Sequence, residues 1–190
     1  MNIGLYFGSF NPIHIGHCII ANYVRNETGI DQVWFVVSPQ NPFKKAGSLL
    51  NEYDRLHLVQ KAIENDSGMK ASDVEFHLEK PSYTAHTLSF LQEKYPAYSF
   101  HIIMGGDSFQ NLAKWRNADY IKKNFHIYVY NRPGQNITEI SKENIQILEK
   151  APLLEISATQ IRQYIKDKKS IRYLVPEKVR EEIERNGYYR

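Results

Sequence analysis

A single cysteine, Cys18, stands among 190 residues, and that scarcity removes several options at once. No internal disulfide can form and no Cys/His zinc set exists, which agrees with a reducing compartment. Long apolar runs are missing too: nothing approaches the roughly 18–20 consecutive apolar residues of a membrane span. The N-terminus runs almost directly into a strand-like segment, Ile3 to Phe7, without a basic region, an apolar stretch and a small-residue cleavage site. These lacks lead us to expect a cytoplasmic protein with no membrane partner. Two nucleotide signatures are also absent. Without Gly-x-x-x-x-Gly-Lys-Ser/Thr a P-loop enzyme is disfavoured, and without Gly-x-Gly-x-x-Gly after the first strand so is an NAD-linked dehydrogenase. Repeats, low-complexity tracts and a clear linker are lacking as well, so residues 1–190 are expected to form one domain.

What is present is an ordinary globular composition, 42% hydrophobic and 24% charged, with a net charge of +3. The excess is localised. From Ala151 onward nine Lys/Arg face six Asp/Glu, and the remainder of the chain is balanced. That basic end suits either a phosphate-facing surface or a solvated helical tail.

Strand-like and helix-like segments alternate along the chain. Ile3–Phe7, Val33–Val37, Val74–Phe76, Phe100–Met104, His126–Tyr130 and Leu153–Ile156 read as strands. Between and after them, helical spacing covers about Ile15–Arg25, Glu52–Asn65, Ala85–Lys94, turns through Asp107–Lys123, Ala158–Lys166 and Pro176–Asn186. Apolar strands separated by helices imply an α/β protein: a Rossmann-like, doubly wound parallel sheet with a small C-terminal helical element at about residues 157–190.

In such a sheet ligands sit beyond the carboxyl ends of the strands. The turns there carry Gly8-Ser9-Phe10-Asn11-Pro12, a Pro-flanked segment with Lys44 and Lys45, Gly105-Gly106-Asp107-Ser108, and Ser157-Ala158-Thr159-Gln160-Ile161-Arg162. Glycine and a small hydroxyl residue let backbone N–H groups approach a phosphate, and the next helix adds the positive end of its dipole. His14 and His17, three apart, project to the same side of a helical turn and could donate to phosphate oxygens as charge builds on phosphorus. The same pair would equally serve a helix N-terminus with one histidine capping and one packed. Ser157 suits an N-cap, with Thr159 in the first turn and Arg162 one turn on; singly, each could be structural.

Taken in order, Gly8-Ser9-Phe10-Asn11-Pro12-x-His14-x-Gly16-His17 and Ile156-Ser157-Ala158-Thr159-x-Ile161-Arg162 resemble the paired signatures of the nucleotidyltransferase superfamily. The segments between, Pro42-Phe43-Lys44, Pro81-Ser82-Tyr83-Thr84, Gly106-Asp107-x-Phe109-x-x-Leu112-x-x-Trp115 and Arg132-Pro133-Gly134, are similar to bacterial nicotinate-nucleotide adenylyltransferases. The resemblance implies adenylyl transfer from ATP to nicotinate mononucleotide, giving deamido-NAD and pyrophosphate in NAD biosynthesis. The attack is direct and in-line, with no covalent intermediate, and Mg2+ is bound with ATP. It further implies catalytic His14 and His17, and ATP phosphates held by Gly8, Ser9, Phe10, both histidines, Lys44, Ser157, Thr159 and Arg162. Gly106 and Asp107 would meet the adenosine, Tyr83 and Thr84 the nicotinate carboxylate, Trp115 the pyridine ring and Arg132 the mononucleotide phosphate. No protein-bound metal, no nucleic acid partner and room for a homo-oligomer complete the expectation. The chain departs from the pattern at Phe7, Asn11, Phe43 and His86; Asn11 keeps a side-chain acceptor where the family commonly has Asp, so the turn should survive.

Three other readings fit parts of the pattern. A pantetheine-phosphate adenylyltransferase would share the first signature, but those chains are usually shorter and lack the Tyr83-Thr84 and Trp115 segments. A class I aminoacyl-tRNA synthetase carries His-x-Gly-His, yet a Lys-Met-Ser-Lys-Ser loop and room for a tRNA-binding domain are missing. A non-enzymatic nucleotide- or RNA-binding module would use the basic C-terminal fifth with Tyr173, Tyr188 and Tyr189, whose spacing forms no RNA-recognition motif.

Overall fold

The computed structural model describes residues 1–40, 49–131, 134, 137 and 143–190. Among these, six strands are interleaved with seven α-helices: β1 (Asn2–Gly8), α1 (Ile15–Glu27), β2 (Gln32–Val37), α2 (Glu52–Ile63), β3 (Met69–Ser72), α3 (Thr84–Lys94), β4 (Ser99–Gly105), α4 (Gly106–Gln110), α5 (Ala118–Asn124), β5 (His126–Tyr130), β6 (Ile145–Leu148), α6 (Ala158–Lys166) and α7 (Glu177–Asn186). The sheet order is β3-β2-β1-β4-β5-β6 and every neighbouring pair is parallel. The expected Rossmann-like doubly wound sheet is therefore present. No helix among the described residues is long and apolar enough to cross a membrane.

The period-2 alternation of the strands explains why both faces need helices. In β2, Val33, Phe35 and Val37 enter one core with Ile20, Ala21 and Val24 of α1 and Leu58, Val59 and Ile63 of α2. Trp34 and Val36 of the same strand enter the other, with Ala85, Leu88 and Leu91 of α3 and Ile121 of α5. The first core continues into Ile161 of α6 and Val179 and Ile183 of α7, so the C-terminal helical element packs on the α1/α2 face.

Two expected strands lie elsewhere. Val74-Glu75-Phe76 is not a strand but part of a 3-10 turn over Val74–His77, closed by the Phe76 amide donating to the Asp73 carbonyl at 2.8 Å. The strand precedes it, at Met69–Ser72, where the ladder to β2 pairs Val33 with Met69 and Val36 with Ser72. Edge position makes this short, weakly apolar segment a strand; β-propensity pointed to its neighbour. Likewise Leu153–Ile156 is irregular: β6 runs over Ile145–Leu148, paired with β5 from Ile127 to Tyr130. Leu153 is largely exposed, as an outward residue between Pro152 and the next helix can be.

One helix does more than cover the sheet. Arg55 of α2 falls on the same stripe as Leu58 and Val59 and is 0% exposed. Its Nε donates to the Leu50 carbonyl at 2.8 Å, Nη1 to the carbonyls of Ser9 (2.6 Å) and Ser38 (2.8 Å), and Nη2 to that of Pro39 (3.0 Å). The guanidinium thus ties the loop after β1 to the loop after β2. Burial pulls its pKa downward, and four carbonyl dipoles stabilise the charge in place of a carboxylate.

Toward the amino ends of the strands, His101 and His126 are cross-strand partners with rings 5.9 Å apart, and the His126 ring lies 4.7 Å from that of Tyr128. Both ring nitrogens of His101 are buried without a hydrogen-bond partner among the described residues. Burial, then the neighbouring His126, lowers the His101 pKa below its ordinary 6.5.

Two outcomes follow for stability. Arg55→Met leaves four carbonyls without their donor and should lower the unfolding free energy by about 3 kcal/mol or more; a urea-unfolding loss below about 1 kcal/mol contradicts the clamp. Because the folded state resists protonating His101 while the unfolded chain accepts the proton near 6.5, stability is full above that pH and falls below it. His101→Asn should flatten the decline in unfolding free energy between about pH 7 and pH 5.5, and an unchanged slope rules the histidine out as its source.

Candidate active site

The sheet's order reverses between β1 and β4, so the chain leaves these neighbouring strands in opposite directions and a crevice opens beyond their carboxyl ends. Two cavities fill it. The first, about 380 Å³, is walled by the loop after β1, the end of β4 and the start of α6. The second, about 400 Å³, lies under the start of α3 and the segment Lys114–Arg116. They share Phe7, Gly8, Ser108 and Trp115, so they meet over the end of β1.

The loop after β1 is built around rings. Phe10 adopts a left-handed backbone (φ 43°) and buries its side chain edge-on against Tyr6, Phe35 and His17. A Cβ on Gly8 would lie 2.8 Å from that ring, so glycine is required there. Phe10, expected among the phosphate contacts, has its side chain in the core, which leaves its backbone to face a ligand. Ser9, also nearly buried, has its carbonyl fixed by Arg55.

His14 is the N-cap of α1, and the pair forms a capping box in which imidazoles take the places usually held by Ser/Thr and Glu/Gln. The rings stack with centroids 3.7 Å apart. The His14 backbone N–H donates to His17 Nδ1 at 3.2 Å, which puts the proton of the neutral His17 ring on Nε2 and makes that nitrogen a donor. Gly16 is explained by the same packing, since a Cβ there would stand 3.1 Å from His14 Nδ1. Capping and phosphate contact are therefore compatible uses of the pair.

The opposite end of the chain is tied to this loop directly. Ser157 caps α6 by accepting from the Gln160 amide at 3.2 Å. Arg162 donates from Nη1 to the Asn11 carbonyl at 2.7 Å and from Nη2 to Thr159 Oγ1 at 3.3 Å. Asn11 in turn accepts the Leu50 amide on its Oδ1 at 3.1 Å, so its side-chain acceptor does hold the turn. Ser157, Thr159 and Arg162 line the first cavity with Gly8, Ser9, His14 and His17.

The other expected residues divide between the chambers. Asp107 lines the first; a Cβ on Gly105 would meet its Oδ1 at 2.7 Å, so the glycine makes room for the carboxylate. Gly106 is buried at the start of α4, and Gly105, not Gly106, forms the wall. Tyr83 and Thr84, at the N-cap and first position of α3, line the second, and Tyr83 provides no side-chain cap for the first-turn amides. Trp115 borders both cavities. Lys44 and Arg132 lie outside the described residues.

Sequence reasoning missed three groups. Glu75, 2% exposed, lines the second cavity and accepts the hydroxyls of Ser82 (2.8 Å) and Thr87 (3.0 Å). Burial pushes its pKa up against the lowering effect of its hydroxyl partners, which include Ser38. The signal was an acid between Val74 and Phe76 with hydroxyl residues following; strand assignment hid it. Arg55 was visible as an arginine on an apolar stripe. Arg116 stands beside Trp115 with its guanidinium 4.9 Å from the Tyr83 ring centroid. Cys18, next to His17, is not a candidate nucleophile, because burial pushes its thiol up to about 12. Among the described residues no group of three or more His, Cys, Asp or Glu is placed to hold a metal.

Comparison with known proteins gives the chain a family. The cytidylyltransferase-like family profile matches residues 5–164. A protein of Cytophaga hutchinsonii named "Probable nicotinate-nucleotide adenylyltransferase" is 50% identical over 189 residues, covering 100% of this chain and 98% of the relative. One of the same name from Flavobacterium psychrophilum is 49% identical over 193 residues, covering both chains fully. Among solved structures, Plasmodium falciparum nicotinic acid mononucleotide adenylyltransferase complexed with NaAD superposes with a TM-score of 0.85 at 21% identity over 99% of this chain and 97% of that one, a likeness of fold. With relatives at half identity over its whole length, the chain belongs to the cytidylyltransferase-like family and, within it, to the nicotinate-nucleotide adenylyltransferases.

Proposed function

We propose that the protein transfers the adenylyl group of ATP to the 5′-phosphate of nicotinate mononucleotide. A phosphate oxygen of the mononucleotide attacks the α-phosphorus in line, the bond from that phosphorus to the bridging oxygen breaks, and pyrophosphate leaves as deamido-NAD forms. The observation that carries this reading is the pair of adjoining cavities meeting at Gly8 and Trp115. Two substrates brought end to end over one glycine need that arrangement.

The first chamber suits ATP. The start of α6, Ser157, Thr159 and Arg162 offer donors and a cation to the triphosphate, while His14 and His17 face it from α1. His17 Nε2–H is held ready by the His14 amide and stabilises charge developing on the α-phosphate and the departing pyrophosphate. Asp107 is the acceptor for a ribose hydroxyl. In the second chamber Trp115 stacks the pyridine ring, with Tyr83 and Thr84 at the start of α3 receiving the nicotinate carboxylate. Lys44 and Arg132 keep their assignments to the triphosphate and the mononucleotide phosphate by family likeness.

The donor set also bears on the cation. Among the described residues, imidazoles, hydroxyls and a guanidinium surround the first chamber with Asp107 as the one acidic group, which suits a divalent ion carried by the nucleotide better than one caged by protein. Such an ion, Mg2+ by family likeness, supplies charge neutralisation on the triphosphate.

Because His17 both caps α1 and faces ATP, two variants separate the roles. His17→Ala should lower kcat by about 10²-fold or more and cost stability by about 1 kcal/mol as a lost capping contact. His17→Gln, a residue suited to that capping position, should retain most of the stability and still lose turnover. Near-wild-type turnover in folded His17→Ala sinks the assigned role. Separately, Trp115→Ala should raise KM for the mononucleotide more than KM for ATP, read from steady-state pyrophosphate release; equal rises contradict ring stacking.

A further inference from the structure

Nicotinate and nicotinamide mononucleotides differ only where one carries a carboxylate and the other an amide, so an enzyme that separates them needs a group sensitive to that charge. Among the described residues the wall of the second cavity holds three acidic or basic side chains: Glu75, Lys114 and Arg116. Glu75 is an acceptor already engaged, its Oε2 by Ser82 and its Oε1 by Thr87. An acid in the wall offers no favourable charge to a second carboxylate, so positive groups must supply it. Lys114 is turned along its own segment, its Nζ donating to Asn111 Oδ1 at 3.1 Å.

Arg116 is placed differently. It follows Trp115 directly, and its guanidinium lies over the face of Tyr83, 4.9 Å from the ring centroid, against the residue that begins α3. Two positive features therefore converge on one wall: the start of an eleven-residue helix without a side-chain cap from Tyr83, and a guanidinium held by a cation–π contact. Among the described residues no carboxylate pairs with Arg116, so the planar fork is available for a bidentate bond. Its stacking on Tyr83 restricts the side chain before any ligand arrives, which reduces the ordering cost of that bond.

We propose that Arg116 is a specificity-determining residue that pairs with the nicotinate carboxylate in the second cavity, selecting the acid over the amide. The inference rests on the adenylyl-transfer reading above and assigns the charge-reading part of it to a side chain, with the start of α3 as its partner. Loss of the guanidinium should penalise the carboxylate substrate selectively. An amide offers no charge to lose.

The test compares wild type, Arg116→Gln and Arg116→Lys, with nicotinate and nicotinamide mononucleotides offered separately. It reads kcat/KM in the presence of ATP and Mg2+, and binding of each mononucleotide by calorimetry without ATP. The expected result is a fall of about tenfold to a hundredfold in kcat/KM for the nicotinate substrate in Arg116→Gln. The nicotinamide substrate should change by less than about threefold, and Arg116→Lys should recover only part of the loss because an ammonium lacks the fork. Equal falls for both substrates overturn the proposal by assigning Arg116 to their shared phosphate or to general shape. An unchanged ratio with full activity overturns it as well. A wild type that binds nicotinate mononucleotide without turning it over defeats the adenylyl-transfer reading alone, since the Arg116 assignment is then read from the binding ratio. A wild type that binds neither defeats both.

Discussion

A guanidinium buried among main-chain carbonyls holds the crevice open. The loops after β1 and β2 come together where neither can complete a ladder, and loops brought inward expose carbonyls that no strand satisfies. Arg55 answers with donors on three nitrogens, reaching Ser9, Ser38, Pro39 and Leu50 from one position on α2. An aliphatic residue would fill the space and leave the carbonyls orphaned. The C-terminal residues close around the same region. Tyr188 donates to Asp54, the neighbour of Arg55, at 3.0 Å, and burial raises the pKa of Tyr189, whose field reaches both Arg55 and Arg162. The loop after β1 thus depends on an arginine 46 residues later than Ser9 and on the end of the chain.

That dependence explains what could be read from the amino-acid order. The sheet was legible where strands are central: β1, β2, β4 and β5 are continuous apolar runs, since burial on both faces demands it. The edges were not. At β3 the segment Met69–Ser72 has one buried residue, while Val74 and Glu75, both buried, belong to a 3-10 turn; β6 was displaced for the same reason, because an edge strand needs little hydrophobicity to pair. Within the site, the glycine, histidine and hydroxyl residues announced themselves through turn chemistry and helix capping. Glu75 and Arg55 carried fainter signals, an acid and an arginine among apolar residues, because the partners that explain them, such as Ser9 and Ser38 for Arg55, come near only through the fold.

The two ends of the chain meet for a reason that spacing alone cannot express. Arg162 donates to the Asn11 carbonyl, so the segment at α6 cannot sit in its cavity unless the loop after β1 has adopted its turn, and Asn11 holds that turn through Leu50. The histidine pair shows the same economy. His14 spends its backbone amide on His17, and this fixes which nitrogen of His17 carries the proton. A side chain whose tautomer is set by helix capping needs no separate orienting acid, and Gly16 is the small residue that lets the two rings stack.

The charge pattern of the crevice fits the chemistry of its substrates. Transfer between two phosphorylated molecules asks for no strong base, because a phosphate monoester loses its second proton near pH 6 and arrives as an anion. Glu75 is engaged by the hydroxyls of Ser82 and Thr87 rather than set toward a reacting proton, and Cys18 offers no thiolate at neutral pH. The larger barrier is bringing one polyanion against another and then releasing a third. In the proposed reaction that barrier would be lowered by donors set in advance: the start of α6 with Ser157, Thr159 and Arg162 on one side, and the stacked imidazoles at the start of α1 on the other. Among the described residues Asp107 is the one acidic group lining that chamber, set against Gly105 at the end of β4. A site that works by positioning and neutralisation is therefore the one these residues can build, and its precision comes from the buried ties behind it.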